Sequence, residues 1–437
     1  MIVTTRLLWL SHCSRVLGAT RKSAQGPAFS VIRARLLTTD SSNFESLGLS
    51  KATAQRLTTA FNISEPTAMQ RQLIPAIVSG KDVLLKDITG TGKSFAIATA
   101  LVDIREPALY VVPNRELALQ ISGWVEKLTP DSPAQLVIAG EEHHTDHSNS
   151  PLTIGTASTM WSLVQNGQWE NKRWKAVVVD EADQAFRLPG RYAHWKKRWN
   201  RKAHPKPAEL VLETIMTAQA SKPQVIMSSA TMNRPLRHWL MEKQWIKDAV
   251  YINGLSPASA GVQHHCLIVS SDQVRNIQTQ IDDEVVVGDV ATDQDIDESM
   301  MECLETLCSI EPVKQGIIFV PNDGSFSQVM SKLHECDIDA IPLYESIAHG
   351  TQAQFYVATA MTGRGIDLPN ISHVFIVGLS KTIDDYMHMA GRLGRLGQAT
   401  DTAKVITIAR DSKYVEAKVN SMFKLMNTSI SMYAHVQ

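Results

Sequence analysis

Lys86-Asp87-Ile88-Thr89-Gly90-Thr91-Gly92-Lys93-Ser94 follows the apolar run Val83-Leu84-Leu85 and precedes Phe95-Ala96-Ile97-Ala98-Thr99-Ala100. The first flank reads as a buried strand and the second as a helix. Between them Thr89, Gly90, Thr91 and Gly92 form a loop whose glycines let backbone N–H groups turn onto phosphate oxygens. The helix N-terminus adds the positive end of its dipole. Lys93 can reach the β- and γ-phosphates, and the Ser94 hydroxyl suits a Mg²⁺ ion. Downstream, Asp180-Glu181-Ala182-Asp183 ends the apolar run Lys175-Ala176-Val177-Val178-Val179. Asp180 at a strand tip is placed to hold the metal, and Glu181 to orient or deprotonate the attacking water. A plain helix-entry loop would explain Gly-Thr-Gly-Lys-Ser alone. It does not explain both segments in this order, so the chain is read as binding ATP.

Strand-like runs alternate with helical patterns, the mark of parallel α/β sheets. One set comprises 82–85, 108–112, 136–139, 153–155, 176–179 and 225–227. A second comprises 265–269, 316–320, 355–358, 374–377 and 405–408. The expected fold is α/β, with two RecA-like parallel-sheet lobes at 41–250 and 263–437 joined by a linker at 251–262. ATP is expected in the cleft between them, outside the carboxyl ends of the strands.

Further segments carry a resemblance. Phe44 with Glu65-Pro66-Thr67-Ala68-Met69-Gln70 resembles the Q motif of the DEAD-box RNA helicases, Pro113 to Ala118 motif Ia, and Ser229-Ala230-Thr231 motif III. Gly363 to Asp367 resembles motif V, and His388 to Arg395 motif VI. The resemblance spans roughly residues 44 to 410. It implies that Phe44, Gln70 and Asp367 join the phosphate loop in holding the nucleotide. Gln70 would read the adenine edge with an amide that both donates and accepts. Arg392 and Arg395 would act as arginine fingers from the second lobe. RNA is the implied partner: ATP and a single strand close the lobes, bend one strand out of a short duplex, and hydrolysis reopens the cleft. Two alternatives are a DNA helicase, which the Q motif disfavours, and a degenerate ATP-gated RNA clamp or assembly scaffold.

Departures from the family pattern fall mainly on the RNA side. Motif Ib, usually Thr-Pro-Gly-Arg, is Thr156-Ala157-Ser158-Thr159. Asn114 stands where threonine is usual, Ala360 where aspartate is usual, and Met389 where arginine is usual. Between Phe319 and Arg364 the chain is shorter than the family norm by about three helical turns. No Gln-x-x-Arg helix is found in Tyr344 to Gln354. Asp87 replaces the small residue that opens the phosphate loop. Its carboxylate would repel a triphosphate unless it turns away or pairs with a cation.

Residues 1–39 carry Arg6, Arg15, Arg21, Lys22, Arg33 and Arg35 and no acid; serines, threonines and Leu7-Leu8-Trp9-Leu10 complete an amphipathic pattern. Residues 1–40 are read as an organellar transit peptide, for a mitochondrion or alternatively a plastid. A secretory signal fits less well because Ser11-His12 breaks the apolar run, and a basic tail is the bland alternative. Organellar ribosomal or intron RNA would then be the target class.

Two segments read as insertions. In Arg191 to Lys202, cations interleave with Trp195 and Trp199. Such a segment suits an RNA backbone and its bases, or else a solvated helix whose tryptophans pack on the lobe. Asp282 through Asp297 and Glu298 is acidic and expected as a surface loop. His143, His144 and His147 are read as a polar loop in preference to a metal site, and His264-His265 as a strand start. The 437 residues suffice for two or three domains, and a net charge of −1 leaves any nucleic-acid surface to be a patch. Five scattered cysteines show no zinc spacing and are expected as buried or inert thiols. No apolar run reaches the roughly eighteen residues of a membrane span, so no membrane association is expected.

Overall fold

In the computed structural model, the described residues are 43–436 except 88–89, 141–149, 170–171, 190–192, 255–260, 279–295, 322, 364–365, 367, 369, 381, 394–402, 413–414 and 427. Residues 1–40 read as a transit peptide, the segment with His143, His144 and His147, most of the acidic insertion, Thr89, Asp367 and Arg395 therefore lie outside them.

The first lobe runs α1 (Lys51–Phe61), α2 (Ala68–Val78), β1 (Val83–Lys86), α3 (Lys93–Ile104), β2 (Ala108–Val112), α4 (Arg115–Leu128), β3 (Gln135–Val137) and β4 (Leu152–Thr156). It continues with α5 (Ala157–Gln165), β5 (Ala176–Val179), α6 (Ala182–Phe186), α7 (Trp195–Ala203), α8 (Pro207–Ala218), β6 (Gln224–Ser229), α9 (Arg234–Glu242) and β7 (Val250–Asn253). Its strands pair in the order β3-β4-β2-β5-β6-β1-β7, all parallel.

The second lobe contains β8 (Gln263–Val269), β9 (Val274–Asn276), α10 (Glu298–Ile310), β10 (Gly316–Val320), α11 (Asp323–Glu335), β11 (Ala340–Pro342), α12 (Leu343–His349) and β12 (Phe355–Thr359). It ends with β13 (His373–Val377), α13 (Ile383–Ala390), β14 (Lys404–Arg410) and α14 (Val415–Met426). The order is β11-β12-β10-β13-β14-β8-β9, parallel except for β9 on β8. Central strands such as β2, β5, β10 and β12 are buried throughout, as helices on both faces require.

Two expectations are adjusted. Tyr251 to Asn253, read as linker, pair with Leu84 to Lys86 as an edge strand of the first sheet. Asp297, read as part of an acidic loop, instead caps α10 by accepting from Met300 N at 2.9 Å, and Glu298 opens the helix. Acids at that position complement the helix dipole. His264 and His265 do lie in β8, where burial lowers both rings' pKa values, His264's to about 4. Cys266, Cys303 and Cys308 are buried, and that burial pushes their thiols up, to about 12 for Cys266 and about 11 for Cys303. Among the described residues no helix is long and apolar enough to cross a membrane.

Candidate active site

The carboxyl ends of β1, β5 and β6 meet around Asp180. Ser94 Oγ donates to Asp180 Oδ2 at 2.5 Å, and the Tyr110 hydroxyl donates to the same oxygen at 3.1 Å. Ser228 Oγ and the Glu181 backbone N–H donate to Oδ1, the latter at 3.0 Å. A carboxylate only 2% exposed thus has both oxygens met, by four donors in all. Burial first, and then Asp180, push the Tyr110 phenol well above its ordinary value, so it remains a donor. Ser94 Oγ and Asp180 Oδ2 are adjacent hard oxygens, a donor pair that fits Mg²⁺.

Glu181 follows in the left-handed region (φ 50°), which few residues other than glycine adopt. The backbone turn there starts α6 directly after the strand. Asp183 Oδ2 accepts from Thr231 Oγ1 at 2.7 Å, joining the end of β5 to the Ser229-Ala230-Thr231 turn.

The phosphate loop is positioned by two left-handed glycines, Gly90 (φ 84°) and Gly92 (φ 80°). Gly92 is the N-cap of α3, and Lys93 is its first residue. Lys93 is buried, and desolvation lowers its pKa against the opposing pull of Glu181, Asp180 and Asp87. Asp87 is itself buried and acts on Lys93 with attractive charge. Its carboxylate also packs on Gly254, beyond β7, where an added Cβ would overlap it. Gln70 lies beside this loop: a Cβ on Gly92 would sit 3.2 Å from its Nε2. Its Oε1 accepts from Thr67 N at 2.9 Å and completes a capping box on α2. Phe44 is buried in the first lobe's apolar core.

The second lobe reaches this cluster through α13. His388 Nε2 lies 3.5 Å from Glu181 Oε2, with both side chains buried. Ligand atoms of Glu181, Asp183 and His388 fall within 4.8 Å of one another, so the lobes meet at the Asp-Glu-Ala-Asp turn. Arg392, 1% exposed, donates to the carbonyls of His388 (3.0 Å) and Ile366 (2.6 Å), and its charge bears on Lys93. A second bridge comes from Asn114. Its Oδ1 caps α4 by accepting from Leu117 N at 2.9 Å, while its Nδ2 donates to Met361 O at 2.9 Å. The amide supplies an acceptor and a separate donor, so one side chain both caps a helix and crosses the cleft.

A cavity of about 970 Å³ opens beside this junction. One wall is Lys197, Asn200, Arg201 and His204 of the first lobe, the other the Thr359–Thr362 turn with Met389. Ala360 and Met389 belong to one apolar cluster of the second lobe. The two departures, a missing carboxylate and a missing cation, therefore fall together. In the stretch Tyr344 to Gln354, which lacks a Gln-x-x-Arg pattern, α12 packs against α4. Thr156 to Thr159 form the junction of β4 and α5, with the two threonine hydroxyls 3.0 Å apart.

From Trp195 onward the basic insertion forms α7, and its tryptophans do not pack on the lobe as one reading of the sequence had them. Trp195 and Trp199 are each 66% exposed. The helix is instead tied down by Arg201, which donates to Phe186 O and pairs with Glu209 at 2.8 Å. Tyr110, Ser228, Asn114 and His388 complete the site beyond the residues expected from sequence. Tyr110 carried no motif signal, because only the β2–β5 pairing brings it to Asp180.

Residues 67–239 match the model of the DEAD/DEAH box helicase family, and residues 299–397 that of the helicase conserved C-terminal domain. The chain is 24% identical over 400 residues to ATP-dependent RNA helicase MAK5 of Phaeosphaeria nodorum, covering 82% of this chain but 48% of that protein. It thus spans about half the length of that relative. It is also 24% identical over 353 residues to DEAD-box ATP-dependent RNA helicase CshB of Listeria monocytogenes, covering 77% and 73% of the two chains. The structure of S. cerevisiae Dbp5 bound to RNA and ADP BeF3 superposes with a TM-score of 0.66 at 18% identity, covering 89% of this chain and 94% of that one. With both lobes matched in order and the carboxylates of the first meeting α13 of the second, the chain belongs to the DEAD-box family of superfamily 2 helicases.

Proposed function

We propose that this chain is an RNA-dependent ATPase that binds and locally remodels RNA or ribonucleoprotein in mitochondria. The observation that carries the reading is the junction of Glu181 and Asp183 with His388: the buried hydrolytic cluster is complete only when the lobes meet. In this reading Lys93 and the phosphate-loop amides hold the triphosphate. Ser94 and Asp180 would hold Mg²⁺, which when bound neutralises phosphate charge. Glu181 orients the attacking water, and Arg392 with Arg395 stabilises charge developing on the γ-phosphate. Closure by ATP and a single strand would bend that strand out of a duplex.

The organellar part rests on the cationic, acid-free composition of residues 1–39. A fluorescent reporter fused to residues 1–40 is expected in mitochondria, and a diffuse cytosolic signal would end that part of the proposal. A plastid signal would select the alternative, and ribosomal or intron RNA is the proposed substrate class.

A second reading, an ATP-gated clamp with little strand separation, draws on Ala360, Met389 and Thr156–Thr159, and on the Asn114–Met361 bridge that already ties the lobes. Phosphate release measured with and without RNA, beside a duplex-displacement assay, separates the two. RNA-stimulated turnover with displacement supports the helicase reading; stimulated turnover without displacement supports the clamp. Turnover that ignores RNA sinks both.

A further inference from the structure

The chain holds nine tryptophans, eight of them described. Six of these eight are buried or packed against the first lobe's core: Trp124, Trp161, Trp169, Trp174, Trp239 and Trp245. The other two, Trp195 and Trp199, stand on α7 in water. Exposing two large indoles is unfavourable unless something covers them. Their i, i+4 spacing puts both on one helix face, and Arg198 and Lys202 complete an i, i+3, i+4, i+7 stripe. Lys197, Asn200, Arg201 and His204 point the other way and line the interlobe cavity.

The anchoring of α7 uses that inner face. Arg201 binds the Phe186 carbonyl and Glu209, and His194 Nδ1 accepts from Lys196 N at 3.2 Å at the helix start. The outer stripe is therefore presented by a fixed helix. From Arg191 to Lys206 the sequence contains no acidic residue and seven lysines and arginines.

We propose that the outer face of α7 is an accessory contact for single-stranded RNA, outside the cleft, in which Trp195 and Trp199 stack on bases while Arg198 and Lys202 neutralise phosphates. The inference rests on the RNA reading above and adds a site to it. Charge decides the occupant: an acid-free cationic helix attracts a polyanion, and alternating indoles match a ligand that repeats a charge and a flat ring. A membrane surface would need a broader apolar face than two indoles without an aliphatic neighbour between them. The helix sits at the rim of the cleft cavity, so a strand leaving the cleft can continue along it. It would supply the cations that Thr156–Thr159 lack.

The test is titration of a labelled oligouridine with the full chain at several salt concentrations. Replacing both tryptophans with alanine should weaken binding about tenfold or more. The Trp195→Phe/Trp199→Phe pair should retain most of it. Changing Arg198 and Lys202 to glutamine together should weaken binding to any RNA sequence. It should also flatten the log–log salt slope by roughly 0.7 for each phosphate no longer neutralised. Thermal melts of each variant check that the fold persists. If the wild type binds RNA and both the alanine and the glutamine variants bind equally well with the same slope, the α7 proposal is overturned while the RNA reading stands. If the wild type itself binds no RNA, the broader reading fails first. Loss of binding to phosphatidylglycerol vesicles with RNA affinity unchanged would overturn the proposal in favour of a lipid surface.

Discussion

The two lobes share one architecture, yet the mouths of their sheets differ. At the first, the ends of β1, β5 and β6 bury Lys93, Asp180, Glu181 and Ser228 in a web of donors and acceptors. At the second, the end of β12 leads into Ala360 and Met361, Met389 belongs to the same apolar cluster as Ala360, and among the described residues His388 and Arg392, of α13 and the turn after it, bring polar side chains to the junction. A carboxylate out of water is tolerable only when its lone pairs are met, as Asp180's are. Where aspartate and arginine are usual, Ala360 and Met389 stand together, so neither leaves a lone charge in an apolar cluster.

The sharpest way to break this contrast is at the first mouth. Lys93→Ala and Glu181→Gln should each lower ATP turnover by on the order of 10²–10³, read as phosphate release at saturating ATP and RNA. Undiminished turnover in both would remove the catalytic role of this lobe.

At the second mouth, Met389→Arg alone places a cation in the apolar cluster and should cost about 3 kcal/mol in urea unfolding. Adding Ala360→Asp should recover much of that loss, whereas additive losses would show that the two positions do not communicate. Duplex displacement by the double variant would further sharpen the comparison, since gain of unwinding is the outcome the clamp reading predicts.

A smaller effect is expected where the first sheet meets its last strand. Gly254→Ala drives a methyl into the Asp87 carboxylate and should cost about 1–3 kcal/mol. Asp87→Ala in the same chain should relieve it, and a Gly254→Ala melt indistinguishable from wild type would dismiss the contact.

The smallest concerns the far end of the second sheet, where the C-terminal segment docks. Glu311 is buried and accepts from the Tyr433 hydroxyl at 2.6 Å and Lys404 Nζ at 2.9 Å, with His373 Nε2 at 3.1 Å. Burial would raise its pKa, but Tyr433, Lys404 and His373 outweigh that and hold it below the ordinary 4.5. Its contribution is therefore complete above 4.5 and fades as pH falls through the lower folded value. His373, whose pKa burial depresses, adds a loss of the same sign beginning below its ordinary 6.5. Tyr433→Phe should cost about 1–2 kcal/mol at neutral pH and move the acid-side loss upward in melts across pH. An unchanged acid limb would show that this hydroxyl does not tune Glu311.

Much of the fold was legible because it is written locally. Runs of four or five apolar residues such as Ala176 to Val179 and Gly316 to Val320 read as buried strands, and they are. The segments not foreseen, β7, β9 and β11, are three or four residues long with mixed burial, so periodicity carried too little signal. The phosphate loop and the Asp-Glu-Ala-Asp turn were legible because their chemistry requires contiguous residues.

By itself the sequence determined that two parallel α/β lobes exist and that the first holds a nucleotide loop beside paired acids. Glycine spacing, strand-length apolar runs and charge order are properties of adjacent residues. Only the tertiary structure decided which distant groups serve Asp180 and which face of α7 meets water. Tyr110 reaches that carboxylate because β2 pairs with β5, and His388 reaches Glu181 because α13 ends facing the Asp-Glu-Ala-Asp turn of the first lobe. Asp87 packs on Gly254 because β7 lies beside β1. The exposure of Trp195 and Trp199 follows from Arg201 tying the opposite face of α7 to Phe186 and Glu209. Each depends on contacts between residues far apart in the chain, which sheet order and helix packing create and local pattern does not encode.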